Sequence, residues 1–202
     1  MGFAQNNSEY DYHQGIFILG GIGPAIPLGD FGDERESGFD LNTAIDYRFS
    51  DHFFFRGMFD FSNFKFQPGA IQQNLGGTQT DIGGSNNLIS LLVSGGYYYP
   101  LGRFTPYVFA GVGASFVSFP DVIFDPVQNT LDIETTIDPY FSHVAGIGAD
   151  FALNPAKAGE EQKGTLYLIY FESFFTRIPG DTEISAHEFG LLTFNIGIKT
   201  SF

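Results

Sequence analysis

The chain has 202 residues and a formal net charge of -14, yet 43% of it is hydrophobic and 17% aromatic. An acidic chain poor in aromatics would stay unfolded, but 25 Phe and 10 Tyr supply the apolar surface a folded domain needs. The charge balance argues against nucleic acid, which needs clustered Lys and Arg, and the lack of cysteine excludes disulfides, thiolate metal sites and a thiol nucleophile.

In chain order, MGFAQNN comes first. Gly2 and Ala4 precede Gln5 as the small residues of a secretory cleavage site would. The charged and apolar parts of a signal are missing, so an ordinary flexible N-terminus reads equally well. The expected organisation is residues 1–14 as a flexible N-terminus with a signal-peptide remnant, then one barrel over 15–202.

Eight segments then alternate apolar with small or polar residues, the period of a β-strand. They are Ile16–Ile26, Phe39–Phe49, Phe53–Phe66, Leu88–Tyr99, Phe104–Phe119, Tyr140–Leu153, Thr165–Thr176 and His187–Phe202. No stretch between them has a helical period. No run reaches the roughly 18 apolar residues of a membrane helix, but barrels cross with short strands. Ser50–His52 and Leu101–Gly102 read as tight turns and Asn154–Gly164 as a moderate one. Longer loops lie at Pro27–Gly38, Gln67–Asn87, Pro120–Pro139 and Arg177–Ala186. Long and short connections alternate strictly, as in an up-and-down transmembrane barrel.

The faces decide which side is inside. Pairing Phe49 with Phe53 puts Asp46 opposite Arg56 and Asn42 opposite Asp60, so the charges share a face. Placing the next turn at Leu101–Gly102 pairs Tyr97 with Pro106, Val93 with Ala110 and Leu91 with Val112. The apolar residues outnumber what an eight-stranded lumen can hold, and the charged face is too sparse for a soluble surface. The apolar face is therefore expected in lipid. The polar face is expected in the lumen, with Asp40, Asp46, Arg48, Arg56, Asp60, Asp150, Glu172 and Lys199 as a paired network. Inner glycines relieve crowding. Tyr97, Tyr99, Phe104, Phe53, Phe55 and Phe202 would form an aromatic girdle at the short-turn rim, and acids concentrate in the long loops.

Four stretches, PAIPLGDF, TPYVFAGVGASF, HVAGIGADF and TFNIGIKTSF, together with the whole strand pattern, resemble the small outer-membrane β-barrels of Gram-negative bacteria, the OmpA, OmpX and OmpW type. The resemblance implies an all-β, eight-stranded antiparallel up-and-down transmembrane β-barrel, integral to the outer membrane, with long loops extracellular and both termini periplasmic. It implies that Phe194, Ile196, Ile198 and Phe202 form the signal read by the barrel-assembly machinery. The sequence ends at Phe202, so the cell-wall tethering of OmpA proper is not expected.

Chemistry is sparsely coded. Ser185, His187 and Glu188, or Ser142 and His143, are the candidates for a lipid-modifying site, but Ser142 and His143 point to opposite faces and no catalytic motif matches. The acids of DIETTID and FGDERES lack the spacing of a calcium loop. No catalytic residue, metal or cofactor is expected. The expected role is structural or interactive: surface-loop binding, or an accessory subunit of a larger envelope complex. Outer-membrane lipid and lipopolysaccharide would be its surroundings. The alternative is a narrow OmpW-like conduit for small hydrophobic molecules, left open by Leu92, Tyr98 and Phe109 on the inner face.

Overall fold

The second strand shows how the alternation becomes a wall. Phe39, Leu41, Ile45 and Tyr47 are 46–54% exposed, while Asp40, Asn42, Ala44, Asp46 and Arg48 are at most 3% exposed. Side chains alternate across a strand, so one segment serves two solvents. Placing a cation on the lipid face at mid-bilayer costs about 2–4 kcal/mol, which favours this inverted arrangement in a membrane.

The computed structural model describes residues 14–33, 35–65, 67, 72–75, 78–81, 85–125, 130–156, 165–179 and 189–201. Eight strands close into an antiparallel transmembrane barrel: β1 (Gly15–Leu28), β2 (Gly38–Arg48), β3 (Phe53–Lys65), β4 (Ser85–Tyr98), β5 (Phe104–Asp125), β6 (Thr130–Ala152), β7 (Tyr167–Ile178) and β8 (Phe189–Ser201). Each pairs with its sequence neighbour, and β1 pairs with β8 to complete the ring. Outside the wall, a hairpin pairs Gln72–Leu75 with Thr78–Asp81.

The short turns fix the register. Ser50 Oγ accepts the Phe53 N–H at 3.0 Å, and β2 pairs with β3 so that Asp46 meets Arg56 and Asn42 meets Asp60. At the β4–β5 turn the expected register is corrected by two residues: Tyr97 faces Val108, Val93 faces Val112 and Leu91 faces Ala114. Leu101 and Phe104 bond to each other across Gly102-Arg103, and Gly102 takes the positive φ of 64° that this two-residue turn demands. An even shift keeps parity, so no side chain changes face.

Pro120–Pro139, expected as a loop, is largely strand: β5 continues to Asp125 and β6 starts at Thr130. There they pair only with each other, since the β4 ladder ends at Val117 and the β7 ladder at His143. A strand with one unpaired edge tolerates proline. The loop after β1 also departs from expectation by holding a four-residue helix, Asp30–Asp33. The other strand ends move by three residues or fewer.

The outer wall carries the aromatic rim. Phe53, Phe55, Tyr97, Tyr99 and Phe104 face outward beside the short turns, with Phe49 stacked on Phe55 at 5.0 Å and Tyr97 edge-on to Phe53 at 5.4 Å.

Candidate functional site: the filled lumen

The lumen is built in layers. At the short-turn end Phe17, Ala152, Leu166 and Leu168 form an apolar floor. Arg48 lies above it between two rings, 4.4 Å from Phe17 and 4.6 Å from Tyr98, and bonds Asp150. Stacking on aromatic faces suits a guanidinium that must leave water. The Tyr98 hydroxyl donates to the Ser50 carbonyl, tying this layer to the β2–β3 turn.

The middle layer is an ion network. Arg56 grips Asp46 with two bonds, Nε to Oδ1 at 2.6 Å and Nη2 to Oδ2 at 3.1 Å, and its third nitrogen bonds Glu172. Lys199 Nζ sits 2.9 Å from both Asp46 Oδ2 and Asp150 Oδ2. The Tyr107 hydroxyl donates to Glu172 at 2.7 Å. Arg48, Arg56 and Lys199 thus meet Asp46, Asp150 and Glu172, three charges against three, and all six are at most 4% exposed. Removing one partner of such a buried pair costs about 3–5 kcal/mol because the other charge is stranded.

Asp40 and Asp60 lie on the long-loop side of this layer. They are diagonal neighbours, since Asp40 pairs with Ser62 and Asn42 with Asp60. Asn195 Nδ2 donates to Asp40 at 3.2 Å, and the Tyr170 hydroxyl donates to Asn42 at 2.7 Å. No cation pairs with either carboxylate among the described residues. The long-loop end is then capped by a second apolar cluster that includes Phe64, Leu88, Val117 and Leu191. Phe31 of the short helix drops onto it, edge-on to Phe64 at 5.5 Å and to Phe189 at 4.9 Å, with Arg35 over its ring at 4.5 Å.

The inner face is therefore not simply polar, which corrects the division of faces by polarity. Phe17, Phe54, Tyr107, Phe109, Tyr170 and Phe174 all point inward. Glycines make their room. A Cβ on Gly96 would lie 2.2 Å from the Phe54 ring, one on Gly146 2.5 Å from Phe109, and one on Gly148 2.4 Å from Tyr107. Phe109 was expected on the inner face; sequence reasoning missed the other rings and the Tyr107 and Tyr170 hydroxyls. Parity alone, counted from Glu172 and Arg56, would have found Tyr170, Phe174 and Phe54.

The remaining candidates are scattered. Ser142 is buried while His143 faces outward, so the two do not meet. Ser185, His187 and Glu188 lie outside the described residues, as does Phe202. Phe194, Ile196 and Ile198 face lipid at 44%, 50% and 63% exposure. Among the described residues no three His, Asp or Glu side chains converge to ligate one ion.

No protein-family model matches the chain, and no curated protein sequence matches it significantly. The fold does match solved structures. Neisserial surface protein A aligns at 12% identity over 93% of this chain and 97% of that one, with a TM-score of 0.60. The outer-membrane protein OprG of Pseudomonas aeruginosa aligns at 13% identity over 94% and 97%, with a TM-score of 0.50. At these identities the likeness is one of fold: the structural neighbours are small eight-stranded outer-membrane barrels.

Proposed function

We propose that the chain is a non-enzymatic integral outer-membrane protein whose barrel is a closed anchor and whose work is done by what projects from it. The long loops and the β5–β6 ribbon would face the exterior, and both ends of the barrel domain the periplasm. Its role would be surface binding or service as an accessory subunit of an envelope complex, among lipopolysaccharide and lipid. Phe194, Ile196, Ile198 and Phe202 would be read by the assembly machinery during insertion.

The observation that carries this reading is the filled lumen. A floor at Phe17 and Leu168, a matched ion network and a cap at Phe31 and Phe189 stack along the axis. An eight-stranded barrel is just wide enough for such side chains to fill. The wall residues of β5 and β6, by contrast, continue as a ribbon well past the ladders to their neighbours. The sequence 117–138 contains five acids and no Lys, Arg or His, which favours basic partners.

Planar-bilayer recording on the refolded barrel tests the closed anchor: no stable channel is expected, and steady openings would overturn it. Purification in mild detergent tests the subunit role through a stoichiometric partner. The conduit for small hydrophobic molecules is the second reading. It draws on an apolar groove of about 810 Å³ on the wall, lined by Tyr99, Pro106, Ile147, Phe171 and Ile196 among others. Solute uptake into vesicles that carry the barrel, above that of empty vesicles, would promote it.

A further inference from the structure

Arg48, Arg56 and Lys199, the cations of the described lumen layers below the cap, are committed to Asp46, Asp150 and Glu172. Asp40 and Asp60 are left as two formal negative charges at 0% and 1% exposure. Isolated buried charges are not tolerated; they are neutralised or bound. The unpartnered atoms around them are mostly oxygens, beside the one amide nitrogen of Asn42, which stands opposite Asp60. Asp40 Oδ1, both carboxyl oxygens of Asp60, Ser62 Oγ and Asn195 Oδ1 are buried without a hydrogen-bond partner. Ser62 is 0% exposed, and its hydroxyl lies beside both carboxyl groups. Asn195 is anchored to Asp40 through its nitrogen, which leaves its oxygen unpartnered.

We propose that Asp40, Asp60, Ser62 and Asn195 form a buried site for a hard divalent cation of the calcium class. The charge of two carboxylates matches a divalent ion. Five oxygens, two of them from one carboxylate, are a donor set for calcium, which takes six to eight oxygen ligands with water completing the shell. Carboxylates supplemented by neutral oxygens fit the absence of a third converging acid. The site lies beneath the apolar cap, next to Phe64 and Leu88. An ion taken up during folding would exchange slowly. It would tie β2, β3 and β8 together on the side of the lumen that lacks ion pairs.

The test is metal retention after folding. The full chain is refolded with millimolar calcium chloride, desalted into metal-free buffer, checked for the folded form by heat-modifiable migration, and its calcium counted by atomic emission. About one retained ion per barrel is expected for the wild type. The same is expected for a control in the β5–β6 ribbon, Asp132→Asn with Glu134→Gln. Asp60→Asn should retain none. Ser62→Ala should lose its ion to chelator roughly tenfold faster than the wild type, and it carries the test if Asp60→Asn does not fold. Loss of the ion from wild type on desalting, equal retention by Asp60→Asn, or wild-type chelator resistance in Ser62→Ala would each overturn the proposal. In the first case a proton shared by the two carboxyls takes the ion's place.

Discussion

From the short-turn floor to the middle of the lumen Arg48, Arg56 and Lys199 share Asp46, Asp150 and Glu172, and aromatic rings back the guanidinium groups. Toward the long-loop rim Asp40 and Asp60 share only amides and a hydroxyl. Both regions are fully buried and both belong to the same inner face of β2 and β3. The difference shows that burial does not define what a lumen charge does; its partners do. The lower region balances its three cations with three carboxylates of its own. The upper region has no ion pair of its own among the described residues.

The largest effect should come from breaking the lower unit. Among the described residues, Arg56→Met removes the only cation paired with Glu172 and one of two paired with Asp46. We expect about 3–5 kcal/mol lost in urea unfolding of the lipid-embedded barrel. Adding Glu172→Gln to Arg56→Met should recover part of that loss, because the stranded charge is then gone. A single-variant loss under about 1 kcal/mol would mean that solvent reaches the network, and the lumen would no longer count as closed.

Much of this was legible in the sequence. Alternation placed Asp46 opposite Arg56 and put both inside, because a three-residue turn leaves little freedom of register. Charged residues declare their face in a membrane barrel, since lipid penalises them. Aromatics do not: Phe55 faces lipid while Phe54 packs inside, and composition cannot tell them apart. Parity from a neighbouring charge can. The β4–β5 register depended on whether Gly102 opened or closed the turn, a matter of one φ angle. Prolines at 120 and 139 hid the ribbon because the rule against strand proline presumes two paired edges. That Asp40 and Asp60 take no part in the ion pairs was beyond a sequence reading, since it depends on which acids Arg48, Arg56 and Lys199 reach.

A middle-sized effect tests whether the rings hold the lower unit in place. Gly148 gives the Tyr107 ring its space, and Tyr107 in turn bonds Glu172. Gly148→Val should push the phenol off Glu172 and cost about 1–3 kcal/mol by overpacking. Calcium retention, which belongs to the upper region, should not change. Loss of the ion in this variant would couple the two regions and dissolve the distinction between them.

The smallest effect is the most discriminating because its sign differs between the regions. Asp46→Asn leaves Arg48, Arg56 and Lys199 facing only Asp150 and Glu172, and should destabilise the barrel with or without calcium. Asp60→Asn strands no cation. In chelator it relieves repulsion from Asp40 and supplies an amide donor among unpartnered oxygens, so it should stabilise the barrel by about 1 kcal/mol. With calcium present during refolding the same substitution should turn destabilising relative to wild type, since the wild type then gains the bound ion and the variant does not. Paired urea titrations of the two variants, each in chelator and in calcium, read all four signs. If Asp60→Asn in chelator weakens the barrel as Asp46→Asn does, the upper carboxylates are held by partners equivalent to the lower ones, and the contrast between the two regions fails.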